Sequence, residues 1–128
     1  MKLKATKKSD VALQALRMFA DSSVVLSGKE VAARLKVSTV LLSQCLKPLV
    51  EAGWVTSRSG PDGGYILTTG VNKVSVLDVI EAVEGPIISS ECVISDRRCG
   101  IDPPCSMHQI WATTRTALRK SLSQQSAI

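Results

Sequence analysis

The sequence lacks long apolar runs, long polar tracts and, apart from His108, any histidine. A single histidine, without paired carboxylates or a glycine-rich phosphate loop between a strand and a helix, argues against an enzyme. No apolar stretch reaches the length of a membrane span, and the amino-terminal segment has no apolar run of the signal-peptide kind. The absence of polar tracts argues against disorder across the whole chain. We therefore expect a folded cytoplasmic protein that has no membrane partner.

Cysteine is scarce over most of the chain and concentrated in one segment. Cys92, Cys99 and Cys105 lie within fourteen residues, and His108 follows three positions after the last of them. Structural disulfides are rare in the reducing cytosol, so clustered thiols favour metal binding or redox chemistry. Several deprotonated thiols close together are typical ligands of an iron–sulfur cluster or of zinc. Cys45, in contrast, lies among leucines at helical spacing and is expected to be buried.

Positive charge is distributed unevenly along the chain. Residues 1–60 hold ten Lys and Arg against four Asp and Glu, whereas residues 61–128 hold six against seven. The balances are +6 and −1, which together give the formal net charge of +5. A basic half is expected of a surface that binds phosphates, because each neutralised phosphate releases counterions.

Three helical patterns come first in the chain. Apolar residues recur at helical spacing over residues 9–20, which predicts a core-forming helix. Ser27 and Glu30 fit a capping box for a short second helix, and Ser38 is a cap for a third helix that runs toward Gly53. Two helices joined this closely are typical of a helix-turn-helix.

A β-hairpin and two more helices are predicted after the helix-turn-helix. Strands over residues 54–58 and 65–68 flank a segment rich in turn-forming residues, and together they form a wing. Ser75 caps a further helix, and a last helix is predicted from about Cys105 to Ser123. The last helix carries an apolar stripe at Ile110, Trp111, Thr114, Ala117, Leu118 and Leu122.

The predicted fold class is mainly α with a small β-hairpin wing: a winged helix-turn-helix plus a long C-terminal dimerisation helix. We expect residues 1–85 to form the DNA-binding domain, residues 86–104 the cysteine-bearing loop, and residues 105–128 the dimerisation helix and tail. The apolar stripe can be buried in the domain's own core or against a second copy. A homodimer is favoured, because two half-sites multiply both affinity and selectivity for DNA.

The residues expected to contact DNA lie at the start of the third helix and in the hairpin. Pro48 is expected to kink or end the third helix, which leaves base recognition to its early residues. Gln44 can pair with adenine, while Ser38 and Thr39 are better suited to phosphates. The full predicted set is Ser38, Thr39, Val40, Ser43, Gln44, Arg58, Ser59, Gly60, Pro61, Gly63 and Gly64.

The order of these elements resembles the Rrf-two (Rrf2) family of winged-helix regulators over nearly the whole chain. The most specific parts are residues 52–55, the wing sequence 59–67, residues 76–85 and the three clustered cysteines. The resemblance implies that the first two parts belong to a unit that binds double-stranded promoter DNA. It also implies that the cysteines hold a 2Fe-2S or 4Fe-4S cluster and that the final helix forms a homodimer. Six residues separate Cys92 from Cys99, whereas similar proteins generally have five or fewer.

The resemblance leaves two residues as the fourth cluster ligand. His108 matches the histidine of IscR-like members, which implies a sensor of iron–sulfur cluster supply that carries a 2Fe-2S centre. Asp10 matches the acidic residue of NsrR-like members, which reaches the cluster from the other subunit and implies a nitric oxide detector with a 4Fe-4S centre.

The function expected from the sequence is that of a dimeric transcriptional regulator, a repressor. Its DNA affinity is controlled by an iron–sulfur cluster that senses nitric oxide, redox state or cluster supply. One alternative is a clusterless regulator of the same family that acts through thiols or a partner protein. A second alternative is a winged-helix module for protein contact, which predicts no salt-sensitive affinity for DNA.

Overall fold

The computed structural model describes residues 5–86 and 106–128. This part of the chain is mainly helical with one antiparallel hairpin, which confirms the predicted fold class. None of the helices described is both long enough and apolar enough to span a membrane. In chain order the elements are α1 (Lys7–Ala20), α2 (Gly28–Leu35), α3 (Thr39–Glu51), β1 (Val55–Arg58), β2 (Gly64–Leu67), α4 (Val76–Glu84) and α5 (His108–Gln124).

The hydrophobic core is centred on α1, which packs against α2, α3, α4 and β2. Helices α1 to α4 each bury apolar side chains in this core, and burial of each large aliphatic side chain contributes about 1.5–3 kcal/mol. Phe19 and Tyr65 provide the aromatic contact in this core, with ring centroids 6.1 Å apart. The largest fully buried apolar side chains are Phe19, Leu16, Leu42, Leu46, Leu49, Val11, Val31, Val55 and Val79.

Serine caps fix the starts of α2 and α3, as the sequence predicts. The Ser27 hydroxyl accepts from the amide of Glu30 at 3.1 Å, and the Ser38 hydroxyl accepts from the amide of Leu41 at 3.1 Å. The other half of the capping box predicted for α2 is wrong, because the Glu30 carboxylate does not reach back to the Ser27 amide and instead forms an ion pair with Arg34 at 2.7 Å.

Pro48 lies inside α3 and does not end it, so of the two effects expected of this proline, a kink or an end, the end is wrong. The helix continues for three residues to Glu51, although proline cannot donate to the carbonyl one turn earlier. Leu46 and Leu49 on either side of Pro48 are fully buried. Packing of these side chains against the core offsets the loss of one backbone hydrogen bond.

Gly53 terminates α3 as predicted. Its φ of 82° lies in the left-handed region, which glycine enters without steric cost. Its amide donates to the Val50 carbonyl and the Trp54 amide donates to the Leu49 carbonyl, both at 3.0 Å. This pair of bonds is the Schellman motif, and it directs the chain from α3 into β1.

The hairpin packs its second strand against the segment that precedes α2. Val55 pairs with Leu67 at the base and Arg58 pairs with Gly64 at the tip. On the other edge of β2, Tyr65 exchanges two backbone hydrogen bonds with Leu26, at 2.8 and 2.9 Å. The wing is therefore held to the helix-turn-helix by backbone hydrogen bonds.

One carboxylate at the end of α4 holds the start of α1. An oxygen of Glu84 accepts from the Thr6 amide at 3.1 Å, from the Thr6 hydroxyl and from the Ser9 hydroxyl at 3.0 Å. Thr6 is also the cap of α1, so the helix begins two residues earlier than predicted. A negative charge at this end is stabilising, because the first amides of a helix have no partners within it.

The last helix, α5, packs against α4. Arg119 forms an ion pair with Glu81 at 3.0 Å, and the buried Arg115 lies over the Trp111 ring at 5.1 Å. The helix begins at His108, three residues later than predicted. After α5 the chain folds back along the segment before α4, where the Ala127 amide donates to the Val74 carbonyl at 2.8 Å.

Candidate nucleic-acid interface

The turn between α2 and α3 fixes the angle at which α3 is presented. Lys36 ends α2 in the left-handed conformation, with φ 56° and ψ 45°. The Val37 amide donates to the Ala32 carbonyl at 3.0 Å, and the Lys36 amide donates to the Ala33 carbonyl at 3.3 Å. Among the residues described, Lys36 alone has a positive φ without being glycine. The turn is therefore tight and conformationally strained at one position.

We expect Lys36→Gly to raise the free energy of unfolding by about 1 kcal/mol, because glycine removes the steric cost of the left-handed conformation. Denaturant unfolding followed by circular dichroism measures the change. Arg34→Gly is the matched control, since Arg34 lies within α2. That change should lower stability by about 1 kcal/mol. A loss of stability in Lys36→Gly would contradict the interpretation.

The exposed face of α3 carries the central residues predicted to recognise bases. Val40, Ser43 and Gln44 are all exposed. Leu42, Cys45 and Leu46, on the opposite face of the helix, are buried. Lys47 continues the exposed face one turn beyond Ser43 and two turns beyond Val40, and it pairs loosely with Glu51 at 3.9 Å. Lys47 is not among the residues predicted to contact DNA, although its spacing of three residues from Gln44 and seven from Val40 places it on the same helix face.

Ser38 and Thr39 lie at the amino-terminal end of α3, and both are exposed. Ser38 uses its oxygen lone pair for the cap, and its hydroxyl proton remains able to donate. The first amides of α3 point outward with the positive end of the helix dipole. Such an end is suited to a phosphate of the DNA backbone.

In the wing, the exposed predicted residues are separated from the packed ones. Arg58, Ser59, Gly60 and Pro61 are exposed at the tip, where Arg58 is able to reach a phosphate or a minor groove. Gly63 is half-buried, and its amide already donates to the Gly60 carbonyl at 3.0 Å. A Cβ on Gly63 would lie 2.3 Å from the Arg58 carbonyl oxygen. Gly63 therefore allows the tip of the wing to close.

Gly64 lies directly against the segment that precedes α2. A Cβ on it would lie 2.2 Å from the Leu26 carbonyl oxygen, far inside van der Waals contact. Its φ is 155°. The described geometry thus gives Gly64 a packing role beside its predicted proximity to DNA.

The three clustered cysteines, Cys92, Cys99 and Cys105, lie outside the residues described. Of the two predicted fourth ligands, Asp10 is exposed in the first turn of α1, where its carboxylate accepts from the Gln14 amide group at 2.8 Å. His108 is half-buried at the first position of α5. Within 5–86 and 106–128, no three His, Cys, Asp or Glu side chains come together as a metal site.

Cys45 is fully buried on the core-facing side of α3, as expected. Burial raises the pKa of its thiol, an effect that the nearby Lys8 opposes and Glu84 reinforces. A thiol with a raised pKa is largely protonated at neutral pH, and only the thiolate is a good nucleophile or metal ligand. Cys45 is thus a small apolar core residue.

The predicted apolar stripe of α5 divides into two parts. Trp111 and Leu122 are half-buried, and Leu122 packs against the core. Ile110, Thr114, Ala117 and Leu118 are exposed, with 68% of Ile110 accessible, and the exposed Met107 lies immediately before the helix. This exposed strip is available to a second molecule.

Comparison with known proteins gives the same family over nearly the whole chain. The family model Rrf2, described as "Iron-dependent Transcriptional regulator", matches residues 5–126. A helix-turn-helix-type transcriptional regulator of Neisseria meningitidis is 32% identical over 81 residues, which are 63% of this chain and 54% of the relative. The chain thus spans about half the length of that relative. The regulator CymR of Bacillus subtilis is 32% identical over 94 residues, 73% of this chain and 63% of CymR.

Solved structures agree with this fold. CymR of B. subtilis, titled the global cysteine regulator, superposes with a TM-score of 0.77 at 26% identity and covers 98% of this chain and 94% of its own. An oxidised form of Staphylococcus aureus CymR superposes with a TM-score of 0.74 at 28% identity, covering 99% and 93%. These relatives are regulators and not enzymes. The match to the family model and the shared winged helix-turn-helix establish that the chain belongs to the Rrf2 family of transcriptional regulators.

Proposed function

We propose that this protein is a cytoplasmic, dimeric repressor whose affinity for a promoter operator is controlled by an iron–sulfur cluster on Cys92, Cys99 and Cys105. The observation that carries the proposal is the concentration of three thiols within residues 92–105, inside the stretch matched by a family described as iron-dependent. In the proposed division, residues 1–85 bind DNA, residues 86–104 carry the cluster loop, and residues 105–128 form the dimerisation helix and tail.

The DNA-binding surface combines the start of α3, its exposed face and the tip of the wing. Ser38 and Thr39 hold phosphates at the helix end, Gln44 pairs with adenine in the major groove, and Arg58 contacts the backbone beside it. Lys47 adds a phosphate contact at the far end of the exposed face. Each cation that neutralises a phosphate makes the affinity more dependent on salt.

The donor set suits an iron–sulfur cluster, since thiolates are its usual ligands and a histidine or carboxylate completes a set of four. When bound, the cluster supplies redox-active iron that is able to react with nitric oxide or oxygen. Asp10 and His108 are the two candidates for the fourth position. Asp10 lies on the protein surface, which suits a ligand that reaches a second subunit.

Packed elements connect the cysteine-bearing segment to α3, the helix proposed to enter the major groove. The segment 87–105 joins α4 to α5, and Glu84 at the end of α4 holds the start of α1. In turn, α1 packs along α3. When the cysteine-bearing loop is ordered, one placement of the two α3 helices in the dimer is favoured. When the loop is released, the population shifts toward a form that binds the operator more weakly.

Cys99→Ala tests the proposal, and we expect it to abolish visible absorption of anaerobically purified protein and to weaken operator binding. A full switch between bound and free operator requires affinities that differ by about 10⁴. Anaerobic absorption with iron and sulfide analysis, combined with fluorescence anisotropy on operator DNA, measures both properties. The control is Cys45→Ala, which should leave the spectrum unchanged.

The same spectra identify the fourth ligand. A changed spectrum in Asp10→Ala supports the nitric oxide sensor, and a changed spectrum in His108→Ala supports the sensor of cluster supply. If Cys99→Ala retains both the wild-type spectrum and the wild-type affinity, control by a cluster is excluded. Absence of salt-dependent DNA binding in the wild type would favour the protein-contact module.

A clusterless, thiol-controlled regulator is the second candidate, and the similarity to CymR favours it. CymR structures match this fold along almost the whole chain, one of them in an oxidised form. This candidate predicts a colourless protein after anaerobic reconstitution. Its DNA affinity would change with a disulfide oxidant and recover with a reductant, in the absence of iron.

A further inference from the structure

Val40 is an exposed apolar side chain on an otherwise polar helix face. Within the described residues five large apolar side chains are exposed, and three of them lie on α5 or directly before it. The other two are Val24, which lies between α1 and α2, and Val40, which is 67% exposed. Val40 therefore stands apart from the surface that we assign to the dimer.

The position of Val40 gives little benefit to the folded chain, because most of its side chain is exposed. It occupies the first turn of α3, on the face opposite Leu42, Cys45 and Leu46. A β-branched residue is a poorer helix former than alanine, and this one recovers little of that cost through burial. Its apolar surface becomes favourable when a partner covers it.

The residues around Val40 define the chemistry of that partner. Ser43, Gln44 and Lys47 continue the same exposed face, so the apolar area is that of one side chain. An apolar protein surface would leave these polar groups without partners. The major groove offers small methyl groups among hydrogen-bonding edges, and in unmodified DNA only thymine displays one.

We infer that Val40 packs against the 5-methyl group of a thymine in the major groove, so that each operator half-site carries a T·A pair facing the first turn of α3. The inference rests on the proposed DNA-binding function and adds a specificity determinant to it. Val40 then distinguishes thymine from cytosine, and Gln44, one turn later, recognises a neighbouring adenine.

Removing the methyl group from the DNA tests the contact directly. The probe is a duplex selected from a random-sequence library by the wild-type chain, with each thymine of one half-site replaced in turn by deoxyuridine. At one position we expect the affinity of the wild type to fall about three- to fivefold, the factor for one buried methyl group. Val40→Ala should bind the unmodified duplex correspondingly less well and lose nothing further at that position.

Val24→Ala is the matched control, because Val24 is the same residue type, 62% exposed, and lies outside the helix-turn-helix. It should keep the full deoxyuridine effect. If no thymine position distinguishes the wild type from Val40→Ala, the inference is overturned while DNA binding stands. If selection enriches no duplex at all, the proposed DNA-binding function is excluded, and the thymine contact with it.

Discussion

Gly64→Ala is expected to lower the free energy of unfolding by roughly 3 kcal/mol or more, a large part of the stability of a domain this size. The added Cβ would lie 2.2 Å from the Leu26 carbonyl oxygen and 2.9 Å from the Cα of Ser27. These are backbone atoms, so neither moves aside as a flexible side chain would. Relief of the clash requires that β2 separate from the segment before α2.

Separation of β2 breaks the two hydrogen bonds between Tyr65 and Leu26 and displaces the wing. Thermal and denaturant unfolding measure the loss of stability, and anisotropy on operator DNA should show weakened binding. Gly60→Ala is the control, because Gly60 has φ 99° but no heavy atom within 4 Å of an added Cβ. It should lose only about 1 kcal/mol. Equal losses in the two variants would mean that the close approach to Leu26 is unimportant.

Replacing both Ile110 and Leu118 by Asp is expected to yield a monomer that binds operator about a hundredfold more weakly, since each half-site is then bound alone. Both side chains are exposed on α5, so the substitutions remove no core contact within one chain. In a dimer they would bury carboxylates without partners, at several kcal/mol in total. Analytical ultracentrifugation gives the mass, and circular dichroism checks that the fold is kept.

The control for the dimer is Thr116→Asp, which adds one carboxylate at an exposed position on another face of α5. This variant should remain dimeric and bind DNA as the wild type does. A dimeric Ile110→Asp, Leu118→Asp double variant would place the dimer interface elsewhere on the molecule.

Local chemistry made much of the fold predictable. Ser27 and Ser38 act on amides three residues away, and the capping box of Ser75 and Asp78 is present with bonds of 3.0 and 2.9 Å. Gly53 ends α3 for a reason that is visible in the sequence, because only its own backbone conformation is involved.

Features that depend on distant residues were not predictable in the same way. Pro48 signals a helix end locally, but the buried leucines around it keep α3 continuous. The start of α1 depends on Glu84, which no local pattern could indicate. The exposed face of α3 follows from helical spacing, whereas the arrangement of the three clustered cysteines lies outside the residues described.

The bond between Thr6 and Glu84 also affects the order of events during synthesis. Its partners are 78 residues apart, so α1 leaves the ribosome long before its acceptor is made. Contacts of such wide separation pay a large entropic cost of loop closure and tend to form late. Until α4 emerges, the start of α1 lacks the Glu84 carboxylate, and α1 and α3 lack the part of their apolar cover that α4 provides. The start of α1 therefore acquires this contact only after the rest of the winged helix has been synthesised.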